Sequence, residues 1–332
     1  MEAILLSIIL IHIIVNALLF YYFSRFKKQK ESEIEKYKQD LQESKQSQIS
    51  QQYNDLVDEF SKQMNDRVHQ EKINSQLENA RIIQTKLNHV VKFQPEGFSI
   101  RSKVFSADEC AGDWWYVFWK GDTLFLWVGD VTGHGISAAL VASACRSTMM
   151  SIHLGPRQNL QDQAEHLNNV IFEMFKGDSL VTFVATAINF ETGMGEMING
   201  CHPDPFLISK NGVRTILSDQ SNPFLGKNSS TTFNSTSIKV ENDETLLVYT
   251  DGLTDIKIDA SNRNSQRQMQ SLLEANKNLA GDSTAMVQFI REQVKTQIPM
   301  NGLNDDITFV ALSKLEIATQ SKNQNHDLRK TS

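Results

Sequence analysis

Four acidic positions sit where a strand end or a turn would aim a carboxylate. Asp113 lies in Cys110-Ala111-Gly112-Asp113-Trp114-Trp115, and Asp130 in Val128-Gly129-Asp130-Val131-Thr132-Gly133-His134-Gly135. Asp251 follows Leu246-Leu247-Val248-Tyr249-Thr250 and precedes Gly252, while Asp305 and Asp306 precede Ile307-Thr308-Phe309-Val310. A strand holds a carboxylate rigidly at its end, and an adjacent glycine lets the backbone turn so that oxygens converge. Several aspartates without a Cys or His ligand set are hard-oxygen donors, suited to Mg2+ or Mn2+ and not to zinc. Each also has a plainer reading by itself, since Asp-Gly is a common turn dipeptide and Asp a routine helix cap. His134, four residues after Asp130, is either a general acid for a leaving alkoxide or a cap or packing residue at the start of the next helix.

The elements that must position these residues begin after Pro95 and Gly97, where the texture turns to short β-rich segments. The pattern predicts strands over 98–105, 114–119, 123–128, 180–190, 195–199, 206–209, 213–216, 237–240, 245–249 and 306–313. Helices are expected over 137–152, 160–175, 265–275 and 284–296. Short turns such as Lys120-Gly121-Asp122 and Lys210-Asn211-Gly212 imply hairpins and mainly antiparallel sheets. The layout is α+β.

Upstream, residues 3–23 are almost wholly apolar, long enough for a helix to span a bilayer core. Tyr21 and Tyr22 fall at an interfacial belt, and Arg25, Lys27, Lys28 and Lys30 follow at once. That charge places everything after them in the cytoplasm, giving a single-pass anchor over 1–24 in the inner (cytoplasmic) membrane. A cleaved signal peptide would instead want basic residues first and a shorter apolar run. Residues 25–93 contain no Gly or Pro, and apolar residues recur at three- and four-residue steps. They read as a helical linker of coiled-coil character and a route to a homodimer, with a partly disordered tether as the alternative. A polar tail over 317–332 reads as disordered, leaving 94–316 as the main domain. Formal charge is −6, which argues against nucleic acid as a partner, and the three cysteines lie far apart with no CxxC spacing, as reduced thiols would.

The ordered set AGDWW, GDVTGHGISAALV, NGCHPDPFLI, NPFLG, LLVYTDGLTD and NDDITFVAL resembles the metal-dependent Ser/Thr protein phosphatases of type 2C (the PPM superfamily), in particular their bacterial SpoIIE-type branch. ENARIIQ, residues 78–84, resembles the helix that enters the domain in this branch. The resemblance implies a four-layer α-β-β-α sandwich of two antiparallel sheets with metals at one edge. By motif position Asp130 and the backbone carbonyl of Val131 would bind two metals, Mn2+ or Mg2+. Asp251 and Asp305 would complete one shell, and Asp113 would serve the other. The chemistry implied is in-line attack on phosphorus by a hydroxide bridging the metals. The substrate implied is a phosphorylated anti-anti-sigma-like regulator.

Some positions depart from the family pattern. Ala111 stands where a second glycine is frequent, Tyr116-Val117 where a further aspartate is frequent, and Cys201 where glycine precedes the histidine. His202 reads as shaping a loop, and Trp114 and Trp115 as core residues and not substrate contacts. The resemblance also implies regulation through the entering helix, ending near Val91, which would order Asp113. Two rival readings use the same residues: a hydrolase of small phosphorylated molecules, and a catalytically weak scaffold that only holds a phosphoprotein.

Overall fold

The computed structural model describes residues 2–87, 97–108, 110–255, 257–259, 262–263, 265–298 and 303–315. The last part of the expected linker, 88–93, and the expected tail, 317–332, lie outside these residues. The chain forms two compact units, 1–75 and 76–332. The second therefore starts earlier than residue 94, because the final turns of the long helix belong to it.

The first unit is built from helix α1 (Glu2–Leu87), which continues through it without interruption. The polar residues 44–48 interrupt the apolar stripe but not the helix, since Glu, Lys, Gln and Ser without Gly or Pro keep adequate helix propensity. Leu6, Ile11, Leu19 and their apolar neighbours are exposed. This stretch is long and apolar enough to cross a membrane, with a mean hydropathy of 2.2.

The second unit holds two five-stranded antiparallel sheets. One is ordered β1 (Phe98–Phe105), β12 (Ile307–Lys314), β9 (Thr245–Tyr249), β6 (Phe206–Ser209) and β7 (Gly212–Thr215). The other is ordered β2 (Trp114–Lys120), β3 (Thr123–Val131), β4 (Val181–Asn189), β5 (Met194–Gly200) and β8 (Thr236–Lys239). Helices α2 (Gly135–Leu154) and α3 (Leu160–Phe175) cover the second sheet, and α5 (Gln266–Ala275) and α6 (Ser283–Gln297) cover the first. This is the α-β-β-α sandwich. A one-turn α4 (Gly252–Asp255) and a small ribbon of β10 (Lys257–Asp259) and β11 (Asn262–Arg263) were not expected. They are too short to leave a periodic signal.

Alternation along the strands sorts the core into three layers. In β2 and β3, Tyr116, Phe118, Phe125 and Trp127 pack under α2 and α3. Their neighbours Val117, Leu124, Leu126 and Val128 face the opposite sheet, where they meet Val248, Val310 and Leu312. Tyr249, Phe309 and Ala311 turn outward onto α5 and α6. Both faces of each central strand are covered, so these strands read as continuous apolar runs and not as alternating ones. Trp127 has no exposed surface and stacks on Phe183 with ring centroids 5.6 Å apart. Trp127→Ala is expected to cost about 3–5 kcal/mol, measurable as a lower denaturant midpoint at unchanged slope. Helix α2 also passes the length and hydropathy test for a span, but half of its window is buried as a core helix of this unit.

Candidate active site

The strands of the two sheets deliver the four aspartates to one edge of the sandwich. Asp130 is the penultimate residue of β3, opposite Thr182 on β4. The loop after it is held by Thr132, whose hydroxyl donates to the Leu180 carbonyl at 3.1 Å and accepts from the Leu180 amide at 3.2 Å. Asp113 precedes β2 and is buried. Its Oδ2 accepts from the Thr250 hydroxyl at 2.8 Å, and that hydroxyl accepts from the Thr308 amide at 2.9 Å. Thr250 thus ties the ends of β9 and β12 to Asp113. A Cβ on Gly112 would stand 3.5 Å from the Val131 carbonyl oxygen, so that carbonyl lies beside the Asp113 loop.

Asp251 follows β9 after Thr250. Gly252 beside it has no room for any side chain: a Cβ would come 1.9 Å from the Asp306 carbonyl oxygen. This close approach sets the segment bearing Asp251 against the segment bearing Asp305 and Asp306. The two neighbouring acids divide the work. Asp306 is buried, and its carboxylate accepts from the amides of Ala107 at 2.8 Å and Gly112 at 2.6 Å. Asp305 is more exposed and, among the described residues, accepts a local bond from the Asp306 amide at 2.8 Å. Asp306 is therefore an anchor for the Asp113 loop, a role the sequence alone did not separate from that of Asp305. Asp306→Ala is expected to leave the buried Gly112 amide unpaired, at about 1–3 kcal/mol, and the half-buried Ala107 amide at less. Asp305→Ala should change the melting temperature far less.

Electrostatics marks the cluster as one unit. Burial, then Asp130, then Asp306 push the Asp113 carboxyl well above the usual carboxylate range. Asp130 is pushed up to about 8 by burial and by Asp251, Asp305 and Asp306. Asp251 and Asp305 are raised by burial first, and each is raised further by neighbouring carboxylates. Like charges gathered with so little neutralisation are the arrangement a cation resolves. The donor set of carboxylates and one backbone carbonyl fits Mg2+ or Mn2+ in kind. Among the described residues no three acidic, His or Cys side chains are already drawn together into a closed cage. The fit is thus one of chemistry and placement, and the carboxylates would close in on the ion.

His134 stands at the N-cap of α2 but makes no capping bond through its side chain. Its imidazole is 85% exposed, with Nδ1 3.2 Å from Oδ2 of Asp108. His202 is buried. Its Nδ1 lies 2.7 Å from the Thr182 hydroxyl, and Asn199 brackets its backbone, accepting from the amide at 2.9 Å and donating to the carbonyl at 3.0 Å. Burial pushes this histidine down to about 3, so it stays neutral and shapes the loop. Cys201 before it has φ +56°, a left-handed conformation that favours glycine. This explains why glycine is frequent there, and Cys201→Gly is expected to raise stability by about 0.5–1 kcal/mol, the relieved left-handed strain less the extra backbone entropy that glycine loses on folding. Trp114 and Trp115 are both buried, as core residues should be.

One site residue gave no sequence signal beyond its place in ENARIIQ. Gln84, on the last turn of α1, clasps the backbone of Ala111 from both sides. Its Nε2 donates to the Ala111 carbonyl at 2.7 Å, and its Oε1 accepts from the Ala111 amide at 3.0 Å. The position where the family frequently has glycine is thus held by its backbone.

Residues 120–314 match the family described as Stage II sporulation protein E (SpoIIE). The chain belongs to this family. Among curated relatives of this SpoIIE-family chain is Protein IcfG of Synechocystis sp., 24% identical over 265 residues covering 71% of this chain and 41% of the relative. Another is Phosphoserine phosphatase RsbP of Bacillus subtilis, 29% identical over 133 residues, 38% of this chain and 32% of the relative. The chain therefore spans less than half the length of either. Its fold matches the solved SiaA-PP2C domain of Pseudomonas aeruginosa with a TM-score of 0.62 at 15% identity, covering 74% of this chain and 98% of that domain.

Proposed function

We propose that this SpoIIE-family chain is a metal-dependent phosphatase that removes phosphate from serine or threonine of a partner protein. The observation that carries the reading is the gathering of Asp113, Asp130, Asp251 and Asp305 at one edge of the sandwich, with carboxyls raised by burial and mutual repulsion. Asp130, with the Val131 carbonyl, would contact two Mn2+ or Mg2+ ions; Asp251 and Asp305 would serve one and Asp113 the other. Cations held there would lower the pKa of water and offset the charge that develops in in-line displacement at phosphorus. Thr250 and Asp306 keep Asp113 in place, so that this one ligand is preorganised while the other carboxylates would close in on the ions. His134, exposed at the lip, would give a proton to the departing serine oxygen.

The name of the relative RsbP supports phosphoserine as the target, and the motif resemblance implies that it lies within a phosphorylated regulatory protein of the anti-anti-sigma kind. The apolar start of α1 would anchor the chain in the cytoplasmic membrane with the catalytic unit on the cytoplasmic side, and the helix after it would pair two copies.

The test is phosphate release from a phosphoserine protein by the full chain in detergent, with and without Mn2+. Release should need the cation and vanish in Asp130→Ala and Asp251→Ala; cation-independent release, or release kept in both variants, would sink the reading. Faster turnover of nucleotides than of phosphoprotein would replace the substrate class. His134→Ala should slow phosphoserine hydrolysis by about 10²-fold and spare p-nitrophenyl phosphate, whose leaving group needs no proton.

A further inference from the structure

On the other side of the loop that carries Asp113 lies a cleft of about 650 Å³, within the size range of small-molecule sites. Asp113, Asp130, Asp251 and Asp305 do not line it. Among the described residues its walls include Val104, Phe105, Ile298 and Leu303, its cations are Arg81, Lys103 and Arg146, and its carboxylate comes from Asp108. In a chain of net charge −6, a pocket with that balance stands apart.

Arg146, on α2, is the unusual member. It is 4% exposed, and its Nη2 donates to the Asp113 carbonyl at 3.3 Å. Among the described residues its Nε and Nη1 have no hydrogen-bond partner. A buried guanidinium with two unmet nitrogens is costly, because each lost water has no replacement. A guanidinium stays protonated in a protein, so the side chain carries its charge there. A merely structural arginine would spend its donors on the fold. This one lines the cleft while two of its donors, sealed from solvent, stay unmet among the described residues.

We propose that the cleft binds a small organic anion, a phosphate ester or phosphonate with an apolar body, at a site separate from the aspartate cluster. The cations take the anionic head and the Val104, Phe105, Ile298 and Leu303 walls take the body. Lys103, which already lies over the Phe105 ring at 5.0 Å, would move its ammonium toward the head group. Since Arg146 holds the Asp113 carbonyl and Gln84 lines the same cleft, an occupant touches the supports of the Asp113 loop.

The experiment is isothermal calorimetry on the full chain in detergent, stripped with EDTA so that no turnover is involved and the aspartate cluster repels anions. The probes are benzylphosphonate, inorganic phosphate and benzyl alcohol. Benzylphosphonate should bind saturably, one per chain, phosphate about tenfold more weakly, and benzyl alcohol not at all. Arg146→Met should weaken benzylphosphonate at least about tenfold and Lys103→Gln about threefold. Asp130→Asn should not weaken it. Should Arg146→Met fail to fold, Lys103→Gln and Arg81→Gln decide. No saturable binding, equal binding of the alcohol, affinity unchanged in the basic variants, or affinity lost in Asp130→Asn would each overturn the site. Because no hydrolysis is measured, failure here is distinct from failure of the phosphatase reading.

Discussion

Asp130→Asn is expected to lower Mn2+-dependent turnover by a factor on the order of 10³ or more, and yet to raise the melting temperature of the cation-free protein. Both effects have one cause. Asp130 is mostly buried and faces Asp251, Asp305 and Asp306, which together with burial push its carboxyl up to about 8. In the unfolded chain the same group titrates near about 3.9. The folded state therefore binds more protons than the unfolded state between these values, and stability falls as pH rises. The contribution is fully present below about pH 4 and is lost as pH passes through about 8. Asp113, Asp251 and Asp305 are raised as well and act in the same direction. Melting curves in EDTA from pH 5 to 9 should show a steady decline in the native chain and a flatter one in Asp130→Asn. Adding Mn2+ at pH 8 should restore the native chain and do little for the variant. A native chain whose melting temperature rises across that interval in EDTA would contradict the coupling.

The sequence reveals most about this protein where periodicity and end signals act together. Strands β1 and β9 and helix α3 begin and end where alternation, apolar spacing and turn residues place them. For α3 a local cap explains the agreement, since Asn159 accepts from the amides of Gln161 and Asp162. Asp113, Asp130 and Asp251 stand at strand boundaries, as glycine-flanked acids after apolar runs suggest. What stays hidden is of a different kind. The anchoring role of Asp306 depends on amides at Ala107 and Gly112, 199 and 194 residues away in the chain. Arg146 reads as an ordinary polar position on an apolar helix, and only its burial against the Asp113 loop makes it distinctive. Backbone partners brought together by the fold leave no pattern in residue type, because any residue offers the same amide and carbonyl.

Gln84→Leu carries the second large expectation, a loss of about 10- to 100-fold in apparent Mn2+ affinity with the fold intact. The leucine fills the same space but offers neither donor nor acceptor, so the Ala111 amide and carbonyl lose both bonds in a buried place. Each unmet group costs about 1–3 kcal/mol, which the loop can relieve only by moving toward water. Gly112 and Asp113 come next in the chain, so that movement displaces the Asp113 carboxyl from Thr250 and from its place beside Asp130. The loss then belongs to the metal-loaded state: raising Mn2+ should recover most of the turnover, which it would not do for Asp130→Asn. Gln84→Glu keeps an acceptor for the Ala111 amide but sets a carboxylate against the Ala111 carbonyl, and so should fall at or below the leucine variant. Deleting residues 1–72 keeps Gln84 and all of the second unit. If the upstream helix governs the clasp, that deletion must alter turnover at limiting Mn2+, whereas unchanged turnover would confine control to the last turns of α1. An affinity for Mn2+ equal to that of the native chain in Gln84→Leu would mean that the Asp113 loop holds its shape through Asp306, Thr250 and Arg146 without the Gln84 clasp.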